Sequence, residues 1–126
     1  MLKRLFSISL LFVSLTALSP TAQAWTEKDS LWEAAYLATH IADWGQTRSI
    51  ANSCANGGQY YETNPVLGKC PSVQMVNTYF ISTALLHVGV AQMLPSKYRR
   101  WFQTSTLALQ LNVISSNKNI GLKISF

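Results

Sequence analysis

The chain has 126 residues, 48% of them hydrophobic and only 12% charged, with a formal net charge of +5. That length holds one small domain and is too short for two once a leader is removed. Its basic residues are scattered apart from Lys97-Tyr98-Arg99-Arg100, so the electrostatic footprint of a nucleic-acid binder is missing and no nucleic-acid partner is expected.

Lys3 and Arg4 precede an apolar run from Leu5 to Leu18, followed by Ser19, Pro20 and the small-residue triplet Ala22-Gln23-Ala24. This is the layout of a secretory signal peptide, which predicts export and a mature chain beginning at Trp25. Residues 25–126 then carry eight basic side chains against five acidic ones, a mild excess.

Ser30-Leu31-Trp32-Glu33 fits a capping box, and Thr26 to Asp29 offers the same spacing one turn earlier. A first helix is predicted over about 30–52, weakened but not broken by Gly45. Residues 52–71 are dense in turn formers, with Gly57-Gly58, Asn64-Pro65 and Gly68, and contain both cysteines. An even cysteine count in an exported chain reads as a disulfide, here Cys54 to Cys70, 16 residues apart. Closing such a loop contributes roughly 3 kcal/mol by chain entropy. A zinc pair is the competing reading, but zinc prefers thiols spaced more closely.

A second helix is predicted over 72–94, ended by Pro95, and a third over 96–116. The closing segment 120–126 alternates apolar with small or polar residues at period two, a strand signature. With too few strands for a barrel, it reads as an extended tail that pairs with a partner or with itself. The predicted fold class is therefore all-α: three helices, a disulfide-stapled loop between the first two, and a short extended C-terminal tail.

On helix one, Glu33, Tyr36, His40, Asp43 and Thr47 recur at steps of three and four and share a face. Helix three carries Gln103, Thr106, Gln110 and Asn117 on a comparable stripe, and helix two carries Asn77 and His87. In water such stripes are solvated faces; in lipid they turn inward and hydrogen-bond one another. Helix two has no charged residue between Ser72 and Leu94, which favours lipid, although Gln74, Asn77, His87 and Gln92 dilute it. A membrane-inserted hairpin of helices two and three satisfies both the positive-inside preference of the basic turn and the oxidising side required by the disulfide. A wholly soluble periplasmic domain is the rival arrangement.

His40 and Asp43, at i and i+3, stand near enough to share a proton or a metal ion, with His87 as a potential third ligand. A His beside an Asp is more often a structural hydrogen bond, and no cofactor or metal is expected. Glu62 and Asn64 fall within the stapled loop; Glu62 is placed to hold Arg48 or cap a helix, and Asn64 before Pro65 starts a turn. Nucleophile-elbow, phosphate-loop and zinc-protease motifs are all missing.

Asp43-Trp44-Gly45-Gln46-Thr47-Arg48, then Glu62-Thr63-Asn64-Pro65-Val66-Leu67-Gly68 with Pro71-Ser72, then Asn77-x-Tyr79-Phe80, resembles a group of small uncharacterised proteins of proteobacteria and their phages. The resemblance covers most of the mature chain. It implies a short, export-signalled, helical protein and carries no activity or catalytic residues with it.

Two functions are consistent with these residues. One is a non-enzymatic envelope protein, on the inner membrane facing the periplasm, that presents its stapled loop to a partner protein or to a second copy and also contacts lipid. The other is a small hydrolase or metal-binding enzyme using His40, Asp43, Glu62 and His87. Tyr36, Thr47, Arg48, Asn64 and Asn77 are the further candidates for interaction.

Overall fold

The computed structural model describes residues 24–126, so the predicted signal peptide, 1–24, lies outside the described residues except for Ala24. Three helices follow in order: α1 from Glu27 to Ala55, α2 from Val73 to Met93, and α3 from Ser96 to Asn119. All three run within a few residues of their predicted limits.

The start of α1 uses the earlier of the two capping boxes. Thr26 accepts from the Asp29 amide and the Asp29 carboxylate accepts from the Thr26 amide, both at 3.1 Å. Ser30 is left to take the Trp25 indole N–H at 2.7 Å, which releases Glu33 to turn inward. Ser72 caps α2 by accepting from the Met75 amide. The end of α3 lies beyond the predicted 116. Gly121 sits at φ 90° while its amide bonds Lys118 O and the Leu122 amide bonds Asn117 O, both at 3.0 Å. That is a Schellman closure, and glycine supplies its left-handed residue without strain.

Both α2 and α3 pack chiefly on α1 and touch each other little. The expected membrane hairpin is thereby corrected twice. The two helices are held together through α1, and no described helix is long and apolar enough to cross a membrane. The basic turn is also misread from sequence: Arg99 is fully buried, and Arg99 and Arg100 both reach inward to Asp29.

A small apolar core of Ala51, Leu67, Val76 and Phe80, with Trp44, Val73 and Tyr79 packed against it, joins the second half of α1 to the stapled loop and the first half of α2. The other half of the interior is polar, with Asp29, Glu33, His87, Arg99 and Gln103 all buried. Burying such groups is costly unless each is paired, which dictates the network described below.

The disulfide between Cys54 and Cys70 forms as expected, with the Cα atoms 5.7 Å apart. The tail does not form a strand, and none is present among the described residues. It has no second strand to pair with, so it docks on α1: the Ser125 amide donates to Gly45 O at 3.1 Å and Leu122 is buried. Gly45 is what allows this approach. A Cβ there would collide with the Ile124 side chain and come within 3.0 Å of the Phe126 ring.

Candidate functional site beneath the stapled loop

The predicted stripe of α1 faces the interior. At the bottom of the bundle, Asp29 accepts from Arg99 Nη1 at 2.9 Å and Arg100 Nη2 at 3.1 Å, while Arg99 also caps α2 through Ala91 O and Leu94 O. Burial pushes the Asp29 carboxyl up, but the Thr26 amide and hydroxyl and the two guanidinium groups together hold it well below the ordinary carboxylate range.

One turn higher, Gln103 Nε2 donates to both Asp29 O and Glu33 Oε2. Glu33 Oε1 stands 2.8 Å from His87 Nδ1, and His87 Nε2 stands 2.8 Å from Thr106 Oγ1. Burial lowers the His87 pKa despite the opposing pull of Glu33, and the ring donates from Nδ1 to the Glu33 carboxylate, while the single proton of the Thr106 hydroxyl is shared among His87 Nε2 and the Phe102 and Gln103 carbonyls. The ring is sandwiched between Tyr36 at 3.5 Å and Phe102 at 4.4 Å. Glu33, His87 and Thr106 thus form a carboxylate–imidazole–hydroxyl series, but none of them lines the cavity beneath the stapled loop.

His40 is equally committed. Its Nε2 faces Phe80 O at 3.0 Å and must donate to that carbonyl, sharing the proton with Thr83 Oγ1 at 3.2 Å. Its Nδ1 is then the acceptor for the Tyr36 hydroxyl at 3.4 Å. Tyr36 keeps its proton, because burial first and the Glu33 charge second raise its pKa to about 12. With both ring nitrogens occupied, His40 positions its neighbours and has no lone pair to offer a ligand.

Above this layer lies a partly open cavity of about 700 Å³ between the three helices, the stapled loop and the root of the tail. The predicted candidates Tyr36, His40, Asp43, Thr47, Glu62 and Asn64 all line it. His87 does not, so the proposed four-residue set is divided between two layers. Among the described residues, no three His, Cys, Asp or Glu side chains gather closely enough to hold a metal ion.

Asp43 accepts from Gln110 Nε2 at 2.7 Å and from Asn117 Nδ2 at 3.4 Å, so the stripe of α3 supplies its partners. Burial raises its pKa, the Glu62 charge adds to the rise, and the Gln110 bond and His40 oppose it. Glu62 does not reach Arg48. One of its oxygens accepts from the Thr63 and Asn64 amides at 2.8 Å each, folding the loop around its own carboxylate. Arg48 and Trp44 instead both donate to Asn77 Oδ1, at 2.6 and 2.9 Å. Asn64 starts its turn as expected, accepting from the Val66 amide through its side chain.

The loop is held at several points. Besides the disulfide, the Glu62 amide bonds Lys69 O, and the Tyr60 hydroxyl donates to Ile120 O at 3.0 Å, tying the loop to the root of the tail. Sequence reasoning missed Tyr60 and Tyr79 as wall residues and Gln110 as the partner of Asp43. The regular polar spacing on helix three was the available signal for Gln110. Compared with known protein families, curated proteins and solved structures, the chain matches none.

Proposed function

We propose that the chain is a small, exported, non-enzymatic protein of the cell envelope, facing the periplasm and lying against the inner membrane, that presents its stapled loop and the cavity beneath it to a partner protein. The observation that carries this reading is a loop fixed covalently and by hydrogen bonds while its outward side chains stay uncovered: Tyr61 and Val66 are 60% and 65% exposed. A surface ordered before binding loses little entropy on association, and aromatic residues on it are favoured anchors.

The oxidising compartment needed by the disulfide supports export. Exposed Ile81, Leu85 and Leu86 on α2, and Trp101, Leu109 and Leu111 on α3, support contact with lipid without a spanning segment. The likeness of 43–48, 62–68 and 77–80 to small exported proteins of proteobacteria and their phages belongs to the same proposal. In the fold these stretches meet around the cavity, through Asp43, Thr47, Glu62, Asn64, Tyr79 and Phe80.

The hydrolytic alternative retains one supporting observation, the two carboxylates Asp43 and Glu62 facing one cavity with the pKa of Asp43 raised. Its test is Asp43→Asn, which for an enzyme abolishes turnover in a folded protein. The test of the partner reading is a photo-crosslinking residue placed at position 61 in living cells. The expected result is one discrete adduct that disappears when Cys54 and Cys70 are both changed to Ser. An adduct formed equally without the disulfide, or formed only from a probe at position 109, would overturn it.

A further inference from the structure

The five acidic side chains of the mature chain are Glu27, Asp29, Glu33, Asp43 and Glu62. Asp29 is neutralised by two arginines, and Glu33, which does not line the cavity, is held by hydrogen bonds from His87 Nδ1 and Gln103 Nε2. Glu27 is exposed on the first turn of α1, where the helix dipole favours it. Asp43 and Glu62 remain. Neither has an ion-pair partner among the described residues, although the protein as a whole carries excess positive charge. Both face the same 700 Å³ cavity. Lys69 meets Glu62 only through its backbone carbonyl, and Arg48 is committed to Asn77.

The cavity contains a further unmet group. Thr47 is only 3% exposed and lines the cavity, yet its hydroxyl has no protein partner among the described residues. The second oxygen of Glu62 is likewise without one, since both loop amides bond to Oε1. Tyr36, Tyr60, Tyr61 and Tyr79 supply aromatic surface in the same walls. Two carboxylates, a free hydroxyl acceptor and aromatic surface form a site complementary to a cation with N–H donors and an alkyl stem.

We infer that the cavity binds an organic ammonium group, received between Asp43 and Glu62 with its alkyl stem against the tyrosines. This deepens the reading of the loop and cavity as the recognition surface and rests on it. A bound cation would also remove the mutual repulsion that helps raise the Asp43 pKa. The same chemistry is offered by a lysine side chain of a partner protein and by a free diamine, and the test separates these sources.

The experiment is an NMR titration of the oxidised, processed protein with Nα-acetyl-lysine methylamide, with putrescine, and with Nα-acetyl-norleucine methylamide as the uncharged counterpart. Saturable shifts at Asp43, Glu62 and Thr47 are expected for an amine, with affinity about tenfold or more above the norleucine compound. Glu62→Gln should weaken the amine several-fold while leaving the norleucine response unchanged. Tighter binding of the lysine compound supports a protein partner as the source, and tighter binding of putrescine supports a free diamine. If neither amine exceeds the norleucine compound on the unmodified protein, the inference is overturned. That failure would leave the position-61 crosslink intact, whereas loss of the crosslink alone would remove the partner reading and not the amine site.

Discussion

Arg99 and Asp29, 70 residues apart in the chain, meet with Nη1 2.9 Å from Oδ2 and with almost no exposure on either side chain. Asp29 therefore closes the capping box of α1 and anchors the start of α3 with one carboxylate. Removing one member of a buried pair leaves the other charged and dry, the more costly half of the arrangement.

Asp29→Ala should cost about 3–5 kcal/mol, combining the stranded guanidinium with a lost cap. Arg100→Ala, which removes the partly exposed partner, should cost about 1 kcal/mol or less. Urea unfolding monitored by circular dichroism measures both. Equal losses from the two variants would show that the buried Arg99 contact of Asp29 adds nothing to the partly exposed Arg100 contact.

Stability should fall on acidification in two stages, offset in part by Asp43, whose pKa burial raises and which therefore favours the folded chain as pH falls towards 3.8. His87 has a lowered pKa, so below 6.5 the unfolded chain takes up a proton that the folded chain resists, and stability is lost as pH falls. The slope from this group is at most about 1.4 kcal/mol per pH unit. The groups acting on it are Glu33, Tyr36 and His40 of α1 and the uncharged Phe102 and Thr106 of α3. Asp29 also has a lowered pKa, so its contribution is present above 3.8 and is lost as pH falls below that value. His87→Gln should flatten the upper stage and leave the lower one, as read from urea midpoints between pH 7 and 3.

Gly45→Ala should separate the tail from the bundle. Alanine favours the helix by about 1 kcal/mol, while its methyl group meets Ile124 and Phe126. The expected outcome is little change in global stability with faster carboxypeptidase removal of residues 122–126. Unchanged digestion would show that the tail accommodates the methyl group.

Reducing the disulfide, or replacing both cysteines by Ser, should cost roughly 3 kcal/mol. The apolar core contacts of Leu67 lie inside the closed loop, so the loss should reach the α1–α2 packing as well as the loop. Melting temperature and amide exchange at residues 59–67 measure the two effects.

Alkaline carbonate should release the processed protein from membranes, because no described helix is long and apolar enough to span. A low-salt wash at neutral pH should leave part of it bound through the exposed apolar side chains of α2 and α3. Retention after carbonate would require an anchor other than the described helices.

The local features were legible without coordinates. The helix start at Ser72 follows from a hydroxyl placed to accept an orphan amide and the stop after Met93 from Pro95, whereas the first helix starts at Thr26, one turn before the expected Ser30 cap. The cysteine pairing followed from an even count and the expectation of export. The stripe at Tyr36, His40, Asp43 and Thr47 follows from helical periodicity, and all four line one cavity. Glu62 joined them only because its loop folds around its own carboxylate, an outcome set by two backbone amides.

What the sequence by itself determined was the set of elements, the staple and the membership of the polar face, because caps, turns and helix periodicity act over a few residues. Only the tertiary structure decided which polar groups satisfy one another. Arg99 and Arg100 read as a solvated basic turn until Asp29 is placed beside them, and Gly45 reads as a weak helix residue until the tail lies across it. The hydrogen bond of His87 to Glu33, separated by 54 residues, holds both outside the cavity that Asp43 and Glu62 line. The reason is physical: a buried polar group must find a partner, but a one-dimensional pattern fixes only the face on which the group lies, and packing fixes the partner.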